Sequence, residues 1–157
     1  MHQFQPLSAK SSLRLLLLII LTYGAGFLTS FWTSNPASIN WYHALYQAPG
    51  TPPDWMFAFA WFVLYGLISI SAWLVWSLAS HRYFYFQLVT QILWVYTFFE
   101  AHMLFYAFLI MIALTFFVVE MMKEFYRYSK LSARLLIPYL VWVVFAAYLN
   151  AYAFMYN

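Results

Sequence analysis

Three sets of side chains carry the chemistry this sequence can offer. Trp61, Tyr65, Ser69 and Trp73 recur every fourth residue, which on a helix aligns an indole, a phenol, a hydroxyl and a second indole along one face, a candidate ligand wall. Gln87, Gln91, Trp94 and Phe98 return to one direction through steps of four, three and four, and Trp142, Ala146 and Asn150 form a third, aromatic and polar face. Aromatic faces hold flat apolar molecules by stacking, and a few amides supply directional hydrogen bonds. The same spacing also simply fills helix interfaces. For the two glutamines, hydrogen bonding between helices is as good an account as a cavity.

Other chemistries are poorly served. With no cysteine in the chain, disulfides, thiolate metal sites and a cysteine nucleophile are excluded. Asp54, Glu100, Glu120 and Glu124 fall at expected helix ends or loops, and nothing pairs them for acid-base work. His2 falls in an N-terminal arm, His43 in a loop, and His81 and His102 at helix ends; none has metal-ligand spacing, and each reads as a neutral interfacial histidine.

The elements that must position these faces are set by composition. The chain has 157 residues, 66% hydrophobic, 25% aromatic and 7% charged, against roughly 25% charged in soluble domains. Its apolar runs approach the length of about 20 residues that crosses a bilayer as helix. The expectation is one all-α integral membrane domain over 1–157, a five-helix transmembrane bundle with spans near 13–32, 54–79, 83–99, 103–122 and 133–152. A net charge of +3 is too small and scattered to suggest nucleic acid. Residues 1–12 read as a short flexible arm. Lys10 and Arg14 before Leu15–Leu21, with Gly24-Ala25-Gly26 behind, have the outline of a signal peptide, but the apolar run continues without a charge and a retained span is favoured. Thr22, Gly26 and Ser30 make a small-residue face for close helix approach.

Residues 33–53 read as a long ordered loop between the first two spans, rich in Trp and Tyr and stiffened by Pro36, Pro49, Pro52 and Pro53, suited to act as a lid. Thr51 is the expected N-cap of the next helix, with Pro52 and Pro53 in its first turn and Asp54 near the positive end of its dipole. The turn Glu100-Ala101-His102 makes spans three and four antiparallel neighbours, and Pro138 should kink the last span. Lys10, Arg14, Arg82, Lys123, Arg127, Lys130 and Arg134 all fall on one side of five spans. The positive-inside rule then places the amino terminus in the cytoplasm and the lid and carboxyl terminus outside.

The segment Arg134-Leu-Leu-Ile-Pro138-Tyr139-Leu-Val-Trp142-Val-Val-Phe145-Ala-Ala-Tyr148-Leu149-Asn150 closely resembles the last helix of the tryptophan-rich sensory protein and translocator protein family, the peripheral-type benzodiazepine receptors. The resemblance extends to Trp41-Tyr42, Leu45, Pro52-Pro53, Trp55, Trp61 and Leu64-Tyr65, and to Gln87-Leu88, Trp94 and Phe98-Phe99. It implies five transmembrane helices, commonly paired as a homodimer, around a pocket beneath the first loop. That pocket takes porphyrins such as protoporphyrin IX and heme and, in some members, sterols and synthetic carboxamides. Carried over position by position, Trp61 and Trp142 should line the pocket, with Trp41, Tyr65, Gln91, Trp94, Tyr139, Ala146 and Asn150 as further ligand-binding candidates. Porphyrin is then the ligand, with no cofactor required and no metal site.

Several positions depart from the family pattern. Gln47-Ala48 stands where Lys-Pro is usual, Gly50 replaces a frequent Trp, Gln91 replaces Asn, and Ile110 stands where an acidic residue is often seen. No basic residue follows Tyr148 or Tyr152, so the carboxyl-terminal sterol pattern is absent. The resemblance implies a porphyrin receptor in a stress or tetrapyrrole-handling role. Two alternatives stay open: light- and oxygen-dependent porphyrin degradation through Trp61 and Trp142, and transport of porphyrin or sterol. Relatives occupy bacterial and mitochondrial outer membranes, and a bacterial membrane is favoured.

Overall fold

The computed structural model describes residues 9–157, and it is helical throughout its ordered elements. Seven α-helices follow one another: α1 (Ala9–Thr33), α2 (Pro36–Ala44), α3 (Asp54–Val75), α4 (Arg82–Val95), α5 (Leu104–Tyr126), α6 (Lys130–Leu135) and α7 (Ile137–Tyr156). A π-helical turn over Tyr96–Glu100 extends α4. Because α1 begins at Ala9, residues 9–12 of the expected arm are helical instead; His2 lies outside the described residues.

Four stretches are long and apolar enough to cross a membrane: Ala9–Thr33, Asp54–Val75, Leu104–Tyr126 and Lys130–Tyr156. Their outward faces carry large exposed apolar side chains, among them Leu17, Phe27, Phe59, Phe116 and Val141. In water such a surface would aggregate; in lipid it costs nothing. The shorter α4, 14 residues long, packs against α5 and α1.

The core runs along α5, where Met111, Leu114, Val118, Met121 and Phe125 are almost fully buried. Their alternating steps of three and four keep one stripe turned inward, toward α4 and α7. This helix is the central post of the bundle.

Three local expectations are corrected. The segment 33–53 is not loop throughout, because nine of its residues form α2. Asn35 caps that helix by accepting from the Ala37 amide at 3.0 Å, and Pro36 sits in its first turn, the pairing that starts helices well. Thr51 does not cap α3; its hydroxyl donates to the Ala48 carbonyl at 2.8 Å, and Pro53 takes the N-cap position. Pro138 does not bend a continuous helix either. The chain breaks at Leu136 between α6 and α7, and the proline lies in the first turn of α7, where its missing amide proton loses no bond.

The two ends of the bundle differ. At the basic end Arg14 donates to the Ser77 hydroxyl at 2.6 Å, and the Ser80 amide donates to Glu124 at 3.3 Å. There the His81 ring stacks on Trp76 at 3.7 Å and 7°, and burial pushes its imidazole below the usual histidine range. At the other end the Tyr148 hydroxyl donates to the Pro49 carbonyl at 3.1 Å, and the Tyr46 amide donates to Asn157 at 2.8 Å. These bonds tie the 33–53 segment to the end of α7.

A reciprocal pair fastens α6 to α3: Ser71 donates to the Ser132 carbonyl at 2.9 Å and Ser132 donates to the Ser71 carbonyl at 2.7 Å. Both serines are fully buried, and because each donates to a backbone carbonyl, deleting the Ser132 hydroxyl removes one bond of the pair and leaves the other. Ser132→Ala should lower the melting temperature in detergent by roughly 2–5 °C, and an unchanged melting curve would show that the Ser132 hydroxyl bond adds nothing to the hold on α6.

Candidate binding cavity

A cavity of about 470 Å³ opens beneath the 33–53 segment, within the roughly 300–1,000 Å³ typical of small-molecule sites. Its walls come from α1, α3, α4 with its π turn, and α7, and its roof from α2 and the turn that follows.

The α1 wall depends on Gly26. A Cβ there would lie 2.3 Å from Tyr65 Cε2, so only glycine lets the phenol ring lie against the α1 backbone. Just below, the hydroxyls of Thr22 and Ser69 meet at 2.7 Å, and Ser69 donates to the Tyr65 carbonyl at 2.8 Å. Ser69 is therefore consumed in the α1–α3 seam, and Trp73, whose indole donates to the Ser11 carbonyl at 3.0 Å, lies at the far end of it. Of the face running from Trp61 to Trp73, only Trp61 and Tyr65 reach the cavity.

Tyr65 and Gln91 are joined by a hydrogen bond from the amide to the phenol oxygen, coupling α3 to α4. The Trp94 indole donates to Asn150 Oδ1 at 3.0 Å, coupling α4 to α7, and Asn150 in turn donates to the Ala146 carbonyl at 2.8 Å. The structure thus brings Trp61, Tyr65, Gln91, Trp94, Trp142, Ala146 and Asn150 together on the cavity wall. Gln87 belongs to the packing beneath it, donating to the Phe84 carbonyl at 3.0 Å and accepting from Tyr139 at 2.7 Å.

Trp41 and Tyr139 do not line the cavity. Trp41 stacks on His102 at 4.0 Å and 12° and meets Phe98 edge-on at 5.4 Å, bracing the roof from outside; His102 has a positive φ of 55° at the tight turn into α5. Tyr139 is fully buried and supports Trp61 edge-on at 6.2 Å. The positions that sequence reasoning missed are chiefly on α1, namely Tyr23, Thr29, Ser30 and Thr33, together with Phe57 and Phe62 on α3. The four-residue spacing of Gly26 and Ser30 was their only signal, and it indicated helix contact.

The π turn shapes the roof. Its Ala101 amide reaches back five residues to Tyr96 at 3.0 Å, and it presents Phe98 and Phe99 to Tyr42 at 6.2 and 5.7 Å. Gly50, with φ of 83°, and Pro49 form a turn closed by the Thr51 amide on Ala48 at 3.1 Å, the proline-glycine order that a type II turn requires. His43 Nε2 and Asp54 Oδ2 lie 2.9 Å apart and latch α2 to the start of α3. Burial, and secondarily the charge of Asp54, push the Tyr42 hydroxyl up to about 12, so it stays protonated.

Two polar atoms on the wall have no partner among the described residues: Gln91 Oε1 and Trp142 Nε1, an acceptor and a donor. Unpaired buried polar groups are costly and mark places where a ligand or water completes the bonding. No group of three metal-binding side chains occurs among the described residues.

A family model described as the TspO/MBR family matches residues 17–155. The chain belongs to the TspO/MBR family. It is 32% identical over 151 residues to the tryptophan-rich protein TspO of Archaeoglobus fulgidus, covering 92% of this chain and 97% of that protein. It is 33% identical over 150 residues to the corresponding protein of Chlorobaculum tepidum, covering 90% and 94%, and 28% identical over 121 residues to the translocator protein of Sus scrofa, covering 71% and 72%. With its apolar helices, family membership makes this TspO/MBR chain an integral membrane protein.

Within this TspO/MBR chain the two glycines of α1 have opposite roles. Gly26 is filled by Tyr65, whereas a Cβ at Gly24 would meet nothing within 4 Å. Gly26→Ala should cost about 1–3 kcal/mol by overpacking, while Gly24→Ala should be neutral or stabilising by up to about 1 kcal/mol through helix propensity. Thermal unfolding of the two variants in detergent checks this, and equal effects would refute the close approach.

Proposed function

We propose that this chain is a membrane receptor for porphyrins, protoporphyrin IX or heme-type tetrapyrroles, and related flat hydrophobic ligands, serving a stress or tetrapyrrole-handling role. The observation that carries this reading is the aromatic cavity itself: Trp61, Trp94 and Trp142 on three different helices, with Tyr65 and Phe57 between them, inside a bundle that lipid surrounds. A planar macrocycle gains by stacking on indole in a space without water. The unpartnered Gln91 and Trp142 atoms offer polar contacts to its heteroatoms.

The same reading takes α4 with its π turn as a fifth span beside the four long ones. It places the basic end in the cytoplasm and the lid with the carboxyl end outside, because all seven cations gather at the first end. A homodimer in a bacterial membrane belongs to the same reading, which takes the large exposed apolar side chains of the outer faces as the surface that meets lipid and a second copy. The indoles on the wall also suit a second reading, light-driven porphyrin breakdown, because tryptophan is the side chain here best able to pass through a radical. No cofactor is called for on either.

Titration of the purified protein with protoporphyrin IX, read from the shift of the ligand's absorbance band, should saturate. Trp61→Phe with Trp142→Phe should weaken binding roughly 5- to 100-fold. Unaltered affinity in that double variant would remove both indoles from the proposal, and an absorbance band that survives illumination in air would exclude breakdown.

A further inference from the structure

The charges at the cavity mouth are of one kind. Among the residues lining the cavity, Asp54 is the only one with a permanent charge, His43 is its partner at 2.9 Å, and no lysine or arginine takes part. A second, smaller hollow of about 270 Å³ lies in the roof and is lined by Tyr42, His43, Gln47, Thr51, Pro52 and Asp54, so Asp54 is the charge that borders both spaces.

Most neutral donors around the mouth are already engaged, and the one on the wall without a partner among the described residues, Trp142 Nε1, carries no charge. Gln47 Nε2 donates to the Tyr42 carbonyl at 2.6 Å, and the Thr51 hydroxyl to the Ala48 carbonyl at 2.8 Å. The Tyr23 hydroxyl donates to the Phe62 carbonyl at 2.8 Å, and the Trp94 indole to Asn150 at 3.0 Å. At the start of α3, where a helix dipole favours an anion, Asp54 itself holds the place, and Pro52 and Pro53 bring no amide protons. A ligand carboxylate brought to this rim gains no cation and sits beside another carboxylate, a repulsion that solvent weakens, since the Asp54 side chain is 64% exposed, without reversing its sign. Neutral groups escape that penalty, and a cation gains from Asp54 and the ring faces around it.

Resting on the porphyrin reading above, we infer that this cavity selects planar apolar ligands whose lid-facing groups are uncharged or cationic, and discriminates against free dicarboxylates. Asp54 is the residue that sets this preference, and Gln47, on the same rim without a charge, permits it.

The test compares protoporphyrin IX with its dimethyl ester on protein in zwitterionic lipid nanodiscs at about pH 8, above the usual histidine range, with protein-free nanodiscs correcting for partition into lipid. The wild-type protein should bind the ester more tightly than the diacid. Asp54→Asn, which keeps a hydrogen bond to His43, and Gln47→Lys, which adds a cation on the rim, should each lower the ester-to-acid affinity ratio about fivefold. The ratio is internal to each variant, so a general loss of folding cannot imitate the change. A wild-type preference for the diacid, or a ratio that neither substitution moves, would overturn the selectivity and leave the porphyrin reading intact. Failure of both ligands to bind the wild-type protein would overturn the porphyrin reading and this inference with it.

Discussion

The contact of Tyr65 with the backbone of α1 at Gly26 is the constraint on which the rest of this structure depends. With a side chain at position 26 the ring could not lie where it does, since the added carbon would be 2.3 Å from it. With glycine there, Tyr65 is held edge-on by Tyr23 at 5.7 Å, stacked on Trp61 at 5.7 Å and bonded to Gln91. Helices α1, α3 and α4 are registered by that one ring. The cavity begins immediately above it.

Polar groups divide along the same line. Below Tyr65 the helix seams pair their polar side chains, Thr22 with Ser69, Ser71 with Ser132, and Gln87 with Tyr139. That is what an apolar solvent enforces, since an unsatisfied group inside the bundle cannot turn to water. Above Tyr65, on the cavity wall, Gln91 Oε1 and Trp142 Nε1 are left without partners. Of the three buried polar atoms left without a partner among the described residues, these two border the cavity, and the third, His81 Nδ1, lies in the connection before α4.

The roof obeys a different logic, because it faces water and must stay closed by local bonds. Its helix is capped by Asn35, its turn is set by Pro49 and Gly50, and it is pinned through Tyr148 and Asn157 to α7. The His43–Asp54 latch crosses from α2 to α3. It is an assembly of short-range fastenings around one acidic point.

Much of this was legible in the sequence. Hydropathy determined the membrane bundle, because apolar runs near bilayer length have no other stable home, and helical spacing put Trp61 with Tyr65, Gln91 with Trp94, and Trp142 with Asn150 on common faces. What spacing could not supply was which way each face turns: Ser69 and Trp73 share a face with Trp61 yet are spent on packing against α1, while the hydroxyls of α1 that border the cavity looked like a packing seam. Only the tertiary structure decided that Trp41 braces the roof and Tyr139 a wall without lining the cavity, that a helix occupies the lid, and that Asp54 borders its mouth. Periodicity is a property of one helix, whereas a cavity belongs to the mutual rotation of several, which close contacts such as Gly26 with Tyr65 fix across distances in the chain that no local pattern spans.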